Sequence, residues 1–320
     1  MEQILNNQVV EQSVELKLKT YIDSFFLMGF ADQNEKIVIP AQWHVNPVSF
    51  SEGLAPVKSV CNNKYGYIDT TGSVVIPYVW ESAGSFSKGI ASVKDSNGKW
   101  GCIDHTGKVV IPCKWYDVIV YVRGIAKVMN GRKRYGLIDR TGEIIVPCKY
   151  KKITPFRGNL AIVRDSNNKC GIVDTTGIIV TPCQWQDVRH FQEGYTIARD
   201  AEGKDYVINE HGKIIFASRW KEIRLFSEGL ARVCNCKDKW GYIDKSGKEV
   251  IPCQWDMAES FCEGLASVCD NNGIWGYINK KGELVIPCRW QFATWFINGK
   301  AIVFDDNGRH TINPKGKIIE

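Results

Sequence analysis

The chain has 320 residues, a net charge of +6 and 44 % hydrophobic residues, the balance of a folded protein with a mild basic excess. No apolar run approaches the ~20 residues of a membrane-crossing helix, and Met1-Glu2-Gln3-Ile4-Leu5-Asn6-Asn7 lacks the basic flank and apolar core of a secretory signal. Twelve cysteines without such a signal point to free thiols in a reducing, cytoplasmic setting.

Residues 1–27 stand apart as an N-terminal cap. Val10, Val14, Leu18, Tyr21 or Ile22, and Phe25 or Phe26 fit a helical stripe, while Val14, Leu16 and Leu18 equally fit strand alternation. A strand here would supply an opening that the first downstream unit lacks.

From residue 28 to 320 one phrase returns. It reads Trp240-Gly241-Tyr242-Ile243-Asp244, then Gly247, then Val250-Ile251-Pro252-Cys253 and Trp255. Prolines recur at Pro40, Pro77, Pro112, Pro147, Pro182, Pro252 and Pro287, spaced by 35 after the first interval, with Ala217 filling the one gap. Three residues later comes an aromatic: Trp43, Trp80, Trp115, Tyr150, Trp185, Trp220, Trp255 and Trp290. That gives eight full-length Pro-x-x-Trp units, the first without its opening strand, and a partial ninth. A fixed period of this size marks a tandem array of one small module. Arrays generally serve as binding surfaces.

These residues resemble the WG-repeat family of bacterial proteins, named for the Trp-Gly pair. Departures occur at Tyr65, Tyr135 and Cys170, and at Asp205-Tyr206 and Arg309-His310. The resemblance implies an all-β repeat serving interaction, and it brings no shared catalytic residues.

Within the seventh unit, Gly229 to Val233, Trp240 to Asp244 and Lys248 to Ile251 read as strands. Asp244-Lys245-Ser246-Gly247 is a turn, its Asx side chain accepting backbone N–H groups and its glycine permitting positive φ. Each unit is therefore a short antiparallel meander of three strands, or four. A lone 35-residue unit buries too little apolar surface to fold, so the Pro-x-x-Trp aromatics are expected between units. The expected assembly is an open, curved superhelical array, with a closed β-propeller as the alternative. One continuous array without internal linkers is expected.

Five cysteines follow the proline, at Cys113, Cys148, Cys183, Cys253 and Cys288, where Ala41, Tyr78 and Ser218 also occur; the position reads as a small half-buried slot. Cys234, Cys236, Cys262 and Cys269 are the densest set, without the spacing of a zinc site. The five histidines share no repeat position. Glu52, Glu193, Glu228 and Glu263 recur, but Lys88 and Arg123 replace them elsewhere, so they read as surface acids. No cofactor, metal site or enzymatic activity is expected. Function should lie in the loop tips that vary between units, with Asn62, Lys64, Asn97, Lys99, Arg132, Lys133, Arg134, Asn167, Lys169, Lys237 and Asn271 as candidate contacts. The expected partner is another protein. The alternatives are carbohydrate on exposed aromatics, or nucleic acid on the basic fourth unit, where Arg140, Lys149, Lys151, Lys152 and Arg157 accompany the tip.

Overall fold

The computed structural model describes residues 18–44, 49–120 and 124–319. The stripe positions Val10 and Val14 and the opening aromatic Tyr121 lie outside them. Residues Lys19–Ile22 form a strand paired antiparallel with Leu27–Ala31, so this part of the N-terminal segment joins the first sheet.

Every repeat is an antiparallel meander. In one of them Met257–Ala258, Leu265–Cys269, Trp275–Asn279 and Leu284–Trp290 pair in chain order. The meanders have three strands or four, as expected. Among the described residues six sheets have four strands and three have three. The fourth strand is the short link after the Pro-x-x-Trp aromatic, as in Lys152–Ile153, Asp187–Val188 and Met257–Ala258. It forms because the link runs beside the next strand, whose outer polar groups need partners. The Asp256 N–H donates to the Cys269 carbonyl at 3.0 Å, one residue before that ladder begins.

The Trp-Gly and Pro-x-x-Trp phrases are two halves of one bulge. Trp275 pairs with Trp290 and Tyr277 with Ile286, so residues 287–289 arch over Gly276 alone. A Cβ on Gly276 would lie 2.6 Å from the Ile286 carbonyl oxygen and 2.8 Å from the Cys288 nitrogen. Only glycine fits under such an arch. Pro287 is exposed within it, where no ladder N–H is required. At the opposite end, Asp244 Oδ1 accepts the N–H groups of Ser246 (2.9 Å) and Lys248 (3.1 Å). Asn279 and Asn313 do the same with their amide oxygens, which is why Asn replaces Asp there.

Hydrophobic clusters join consecutive sheets. Tyr242 and Ile251 of one sheet pack with Ala258, Phe261, Val268 and Ile278 of the next. The Pro-x-x-Trp rings belong to this packing. Trp43, Trp115, Tyr150, Trp185 and Trp290 are buried, and Trp80, Trp220 and Trp255 are half-buried. The Trp-Gly position is more open, with Tyr65, Trp100, Tyr135 and Trp240 half-buried.

The chain forms two compact units, Met1–Lys149 and Tyr150–Glu320. Their boundary falls inside the strand Ile144–Tyr150 and coincides with no linker. In the first unit the sheets pack in chain order, as the shared clusters of residues 18–68, 54–103 and 102–138 require. The second unit does the same through clusters spanning 170–208, 197–243, 242–278 and 265–312.

Candidate binding surface

Apart from residues 59–64, which join the first two strands of a three-stranded sheet, the loop tips are turns between the second and third strands of the four-stranded sheets. Each is closed by an Asx side chain: Asp95 accepts from the Asn97 and Lys99 N–H groups, and Asn130 from those of Arg132 and Arg134. Asp165 and Asn235 do likewise for Asn167 and Lys169, and for Lys237 and Lys239. The backbone is thus nearly constant while the side chains change.

Several candidate side chains are tied to the frame. Their partner is repeatedly the residue just after the Pro-x-x-Trp aromatic. Lys64 pairs with Glu81, the Lys99 ammonium lies 3.2 Å from the centre of the Tyr116 ring, and Lys169 donates to Gln186 at 3.3 Å. Asn62 donates to the Tyr78 carbonyl at 3.0 Å, and Asn271 accepts from Lys239 at 2.6 Å. Asn97 is exposed beside Asp95. Arg132, Lys133, Arg134, Asn167 and Lys237 have no side-chain partner among the described residues, and of these only Arg134 is half-buried.

The basic run of the fourth unit does not stay together. Arg132, Lys133 and Arg134 sit on the turn before Tyr135–Ile138, and Arg140 on the turn after it, at opposite ends of one strand. Farther on, Lys151 is bonded to Asn168 at 3.0 Å. Lys152 stands directly across from Arg164 in the ladder.

The recurring glutamates have a role that the sequence reading missed. Glu52, Glu193, Glu228 and Glu263 occupy the first left-handed position of a hairpin turn, with φ of 52–54°. Each sends its carboxylate to the same turn of the next repeat. Glu228 accepts the Gly264 N–H at 3.0 Å, Glu193 that of Gly229 at 3.0 Å, and Glu263 those of Asn298 (2.6 Å) and Gly299 (2.8 Å). Glu52 does the same for Lys88 and Gly89. A base from the neighbouring Asx turn completes the tie in three cases: Lys245 on Glu193 (3.1 Å), Lys280 on Glu228 (3.0 Å) and His105 on Glu52 (3.1 Å). The available signal was the Glu-Gly pair itself, recurring at one position of the repeat.

The cysteines are all free thiols. Cys253 and Cys102 are pushed up to about 12 by burial, and burial also raises Cys113, Cys148 and Cys288. Such thiols are poor nucleophiles. The set around Cys234 is dispersed, with Cys234 and Cys269 bonded to their own following carbonyls and Cys236 exposed. No group of three or more His, Cys, Asp or Glu among the described residues is arranged to hold a metal.

A cleft of about 260 Å³ opens in the second unit, lined by Thr154, Pro155, Arg157, Leu160, Ile162, His190 and Phe191. It lies where one aromatic cover is missing. In three repeats the tyrosine of the Trp-Gly strand covers the phenylalanine of the next repeat: Tyr67 on Phe86 (4.9 Å), Tyr242 on Phe261 (4.8 Å) and Tyr277 on Phe296 (5.0 Å). Phe226 is covered instead by Tyr195, at 5.4 Å. Against Phe191 the equivalent residues are Ile172 and Leu160, and Phe191 is left half-buried.

Fold and surface together define a tandem β-repeat protein whose frame is constant and whose turns vary. The profile described as WG containing repeat matches residues 28–65, 65–100, 100–133, 135–170, 171–204, 207–239, 240–273 and 275–308. The chain belongs to this family. No curated protein sequence matches it. Among solved structures, the computationally designed Ika8 protein is similar at 11% identity, over 85% of this chain and 93% of that one, with a TM-score of 0.34. BamB from Moraxella catarrhalis is similar at 12% identity, over 82% and 94%, with a TM-score of 0.31. A eukaryotic initiation factor is similar at 10% identity, over 96% of each chain, with a TM-score of 0.40. No helix is long and apolar enough to cross a membrane among the described residues.

Proposed function

We propose that the protein is a non-enzymatic scaffold that binds another protein through its variable turns, in the cytoplasm and without a cofactor. The observation that carries this reading is the contrast between frame and tip. Carboxylates and tyrosine hydroxyls of the frame are consumed in repeat-to-repeat bonds, and Asx side chains in closing their own turns. The tip residues Arg132, Lys133, Asn167 and Lys237 project without a side-chain partner among the described residues and differ in chemistry from repeat to repeat. Within each unit, equivalent positions on stacked repeats line up as a binding strip. Twelve free thiols support a reducing compartment.

The test is affinity purification from the native host with mass spectrometry, comparing the unaltered chain with Arg132→Ala/Lys133→Ala and with Asn167→Ala/Lys237→Ala. The expected result is a co-purifying protein lost from at least one variant while the melting temperature stays within a degree or two. A partner retained by both variants, or none recovered, refutes the assignment to the tips. Burial of five of the eight Pro-x-x-Trp aromatics weighs against a row of stacking platforms at that position. Separation of the basic residues likewise weakens a nucleic-acid reading.

A further inference from the structure

We propose that the cleft beside Arg157 and Phe191 receives an acidic peptide, an aromatic or aliphatic side chain lying on its floor with a neighbouring carboxylate at Arg157 and the Glu193–Gly194 turn. This rests on the protein-binding reading and deepens it.

Three observations converge on the site. The first is the break in the glutamate ties. Gly158, at φ 60°, stands where Glu52, Glu193, Glu228 and Glu263 stand in other repeats. It has no carboxylate to send forward. The turn it would serve is Glu193–Gly194, and the N–H groups of both residues lack a partner among the described residues. Paired N–H groups of a left-handed turn form a small anion-binding concavity. At four other turns, those of Gly89, Gly229, Gly264 and Gly299, this concavity holds a carboxylate.

The second is charge. Arg157 directly precedes the missing glutamate, lines the cleft and has no side-chain partner among the described residues. His190 faces the same space and is exposed. Two acids lie nearby. Glu193 is already engaged by the Gly229 N–H and Lys245. Glu210 is exposed, and its Oε2 is 4.0 Å from where a Cβ on Gly194 would stand. It occupies the place that Lys245, Lys280 and His105 take beside an in-chain carboxylate. An arriving anion must displace it.

The third is the apolar floor of Leu160, Ile162 and half-buried Phe191, with the Thr154 hydroxyl above it accepting the Ile162 N–H at 3.0 Å. A volume of about 260 Å³ falls below the ~300–1,000 Å³ of sites that enclose a whole small molecule. It suits one side chain of a longer ligand. An extended polyanion would instead call for cations spread along several repeats.

The experiment is calorimetric titration of the full chain at low salt with two synthetic peptides, acetyl-Asp-Glu-Phe-Glu-Asp-amide and acetyl-Asn-Gln-Phe-Gln-Asn-amide. The acidic peptide should bind at least ten-fold more tightly. Arg157→Gln and Gly158→Glu should each weaken it five-fold or more, the second by filling the turn from within. Glu210→Gln should tighten it, and Lys281→Gln, an exposed cation elsewhere in the second unit, should leave it unchanged. Circular dichroism confirms that each variant is folded, and Arg157→Gln carries the test if Gly158→Glu is not. Equal affinity of the two peptides, no binding at millimolar peptide, indifference to Arg157→Gln, or an equal loss with Lys281→Gln overturns the proposal. So does complete displacement of the peptide by an equimolar oligothymidylate. If the cleft fails while the tip variants still lose their partner, the scaffold reading stands without it. If the cleft binds and the tips prove inert, the surface moves to the cleft.

Discussion

Tyr242 and Phe261 meet across two repeats with ring centres 4.8 Å apart and planes at 57°, both fully buried. The Tyr242 hydroxyl donates to the Glu259 carbonyl at 2.6 Å, and burial holds the phenol far above its usual range. One side chain thereby joins sheets that share no ladder. Tyr67 and Tyr277 repeat the arrangement on the Gly84 and Thr294 carbonyls.

Tyr242→Phe should lower stability by about 1–3 kcal/mol, because the Glu259 carbonyl loses its buried donor. Tyr242→Ala should cost about 3–5 kcal/mol, the range for deleting a large core side chain. Urea denaturation measures both. An effect under half a kcal/mol for the phenylalanine variant would show that the hydroxyl contributes nothing between repeats.

Gly241→Ala should destabilise by about 1–3 kcal/mol or more through overpacking. Its new Cβ would meet the Ile251 carbonyl oxygen at 2.5 Å and the Cys253 nitrogen at 2.7 Å. Gly273→Ala, at φ 78° with open space around it, should cost about 1–2 kcal/mol, from backbone strain alone. Thermal melts of the two variants should therefore differ in order as well as size.

Glu193→Gln should be felt near neutrality and fade in acid. Partial burial pushes the Glu193 carboxyl up, but Lys245 and the Gly229 and Glu228 N–H groups together outweigh it and hold it below the usual range. A depressed folded-state value means that stability is present above the unfolded value of ~4.3 and is lost as pH falls through the folded one. The variant should lose about 1 kcal/mol at pH 7, the amount of a charged hydrogen bond reduced by solvent screening. The gap should close below about pH 4. Denaturation at a series of pH values tests this, and a gap that stays constant from pH 7 to pH 3 contradicts it.

Thiol labelling of the native chain should proceed in two classes. Cys61 and Cys236 are exposed and should react quickly with iodoacetamide, while the other ten react only as the protein opens. Mass spectrometry at short times should show two added groups. Rapid modification of Cys113 or Cys253 would mean that the slot beneath the arch is open to solvent.

Much of this was legible in the chain. The 35-residue period gave the repeats and the Pro-x-x-Trp residues as buried contacts. Asx and glycine at fixed offsets gave the turns. Whether a unit has three strands or four stayed open, because two residues such as Met257–Ala258 carry no periodicity and pair only once the next strand is beside them. The basic residues around Arg132 and Arg140 looked like one patch, because neighbours in sequence across a turn and a strand fall at opposite ends of a sheet. The glutamates looked idle because their partners lie one whole repeat away.

The sequence by itself determined the module: its length, its strands, its two turns, and the glycine that must lie beneath the proline. Those depend on hydrogen bonds and sterics within about 35 residues. Tertiary structure alone decided what passes between modules. The carboxylate of Glu228 reaches Gly264, and the space before Phe191 stays open where Ile172 stands in the place of tyrosine. Both follow from how sheets stack, and the stacking fixes which side chains of separate repeats come within reach.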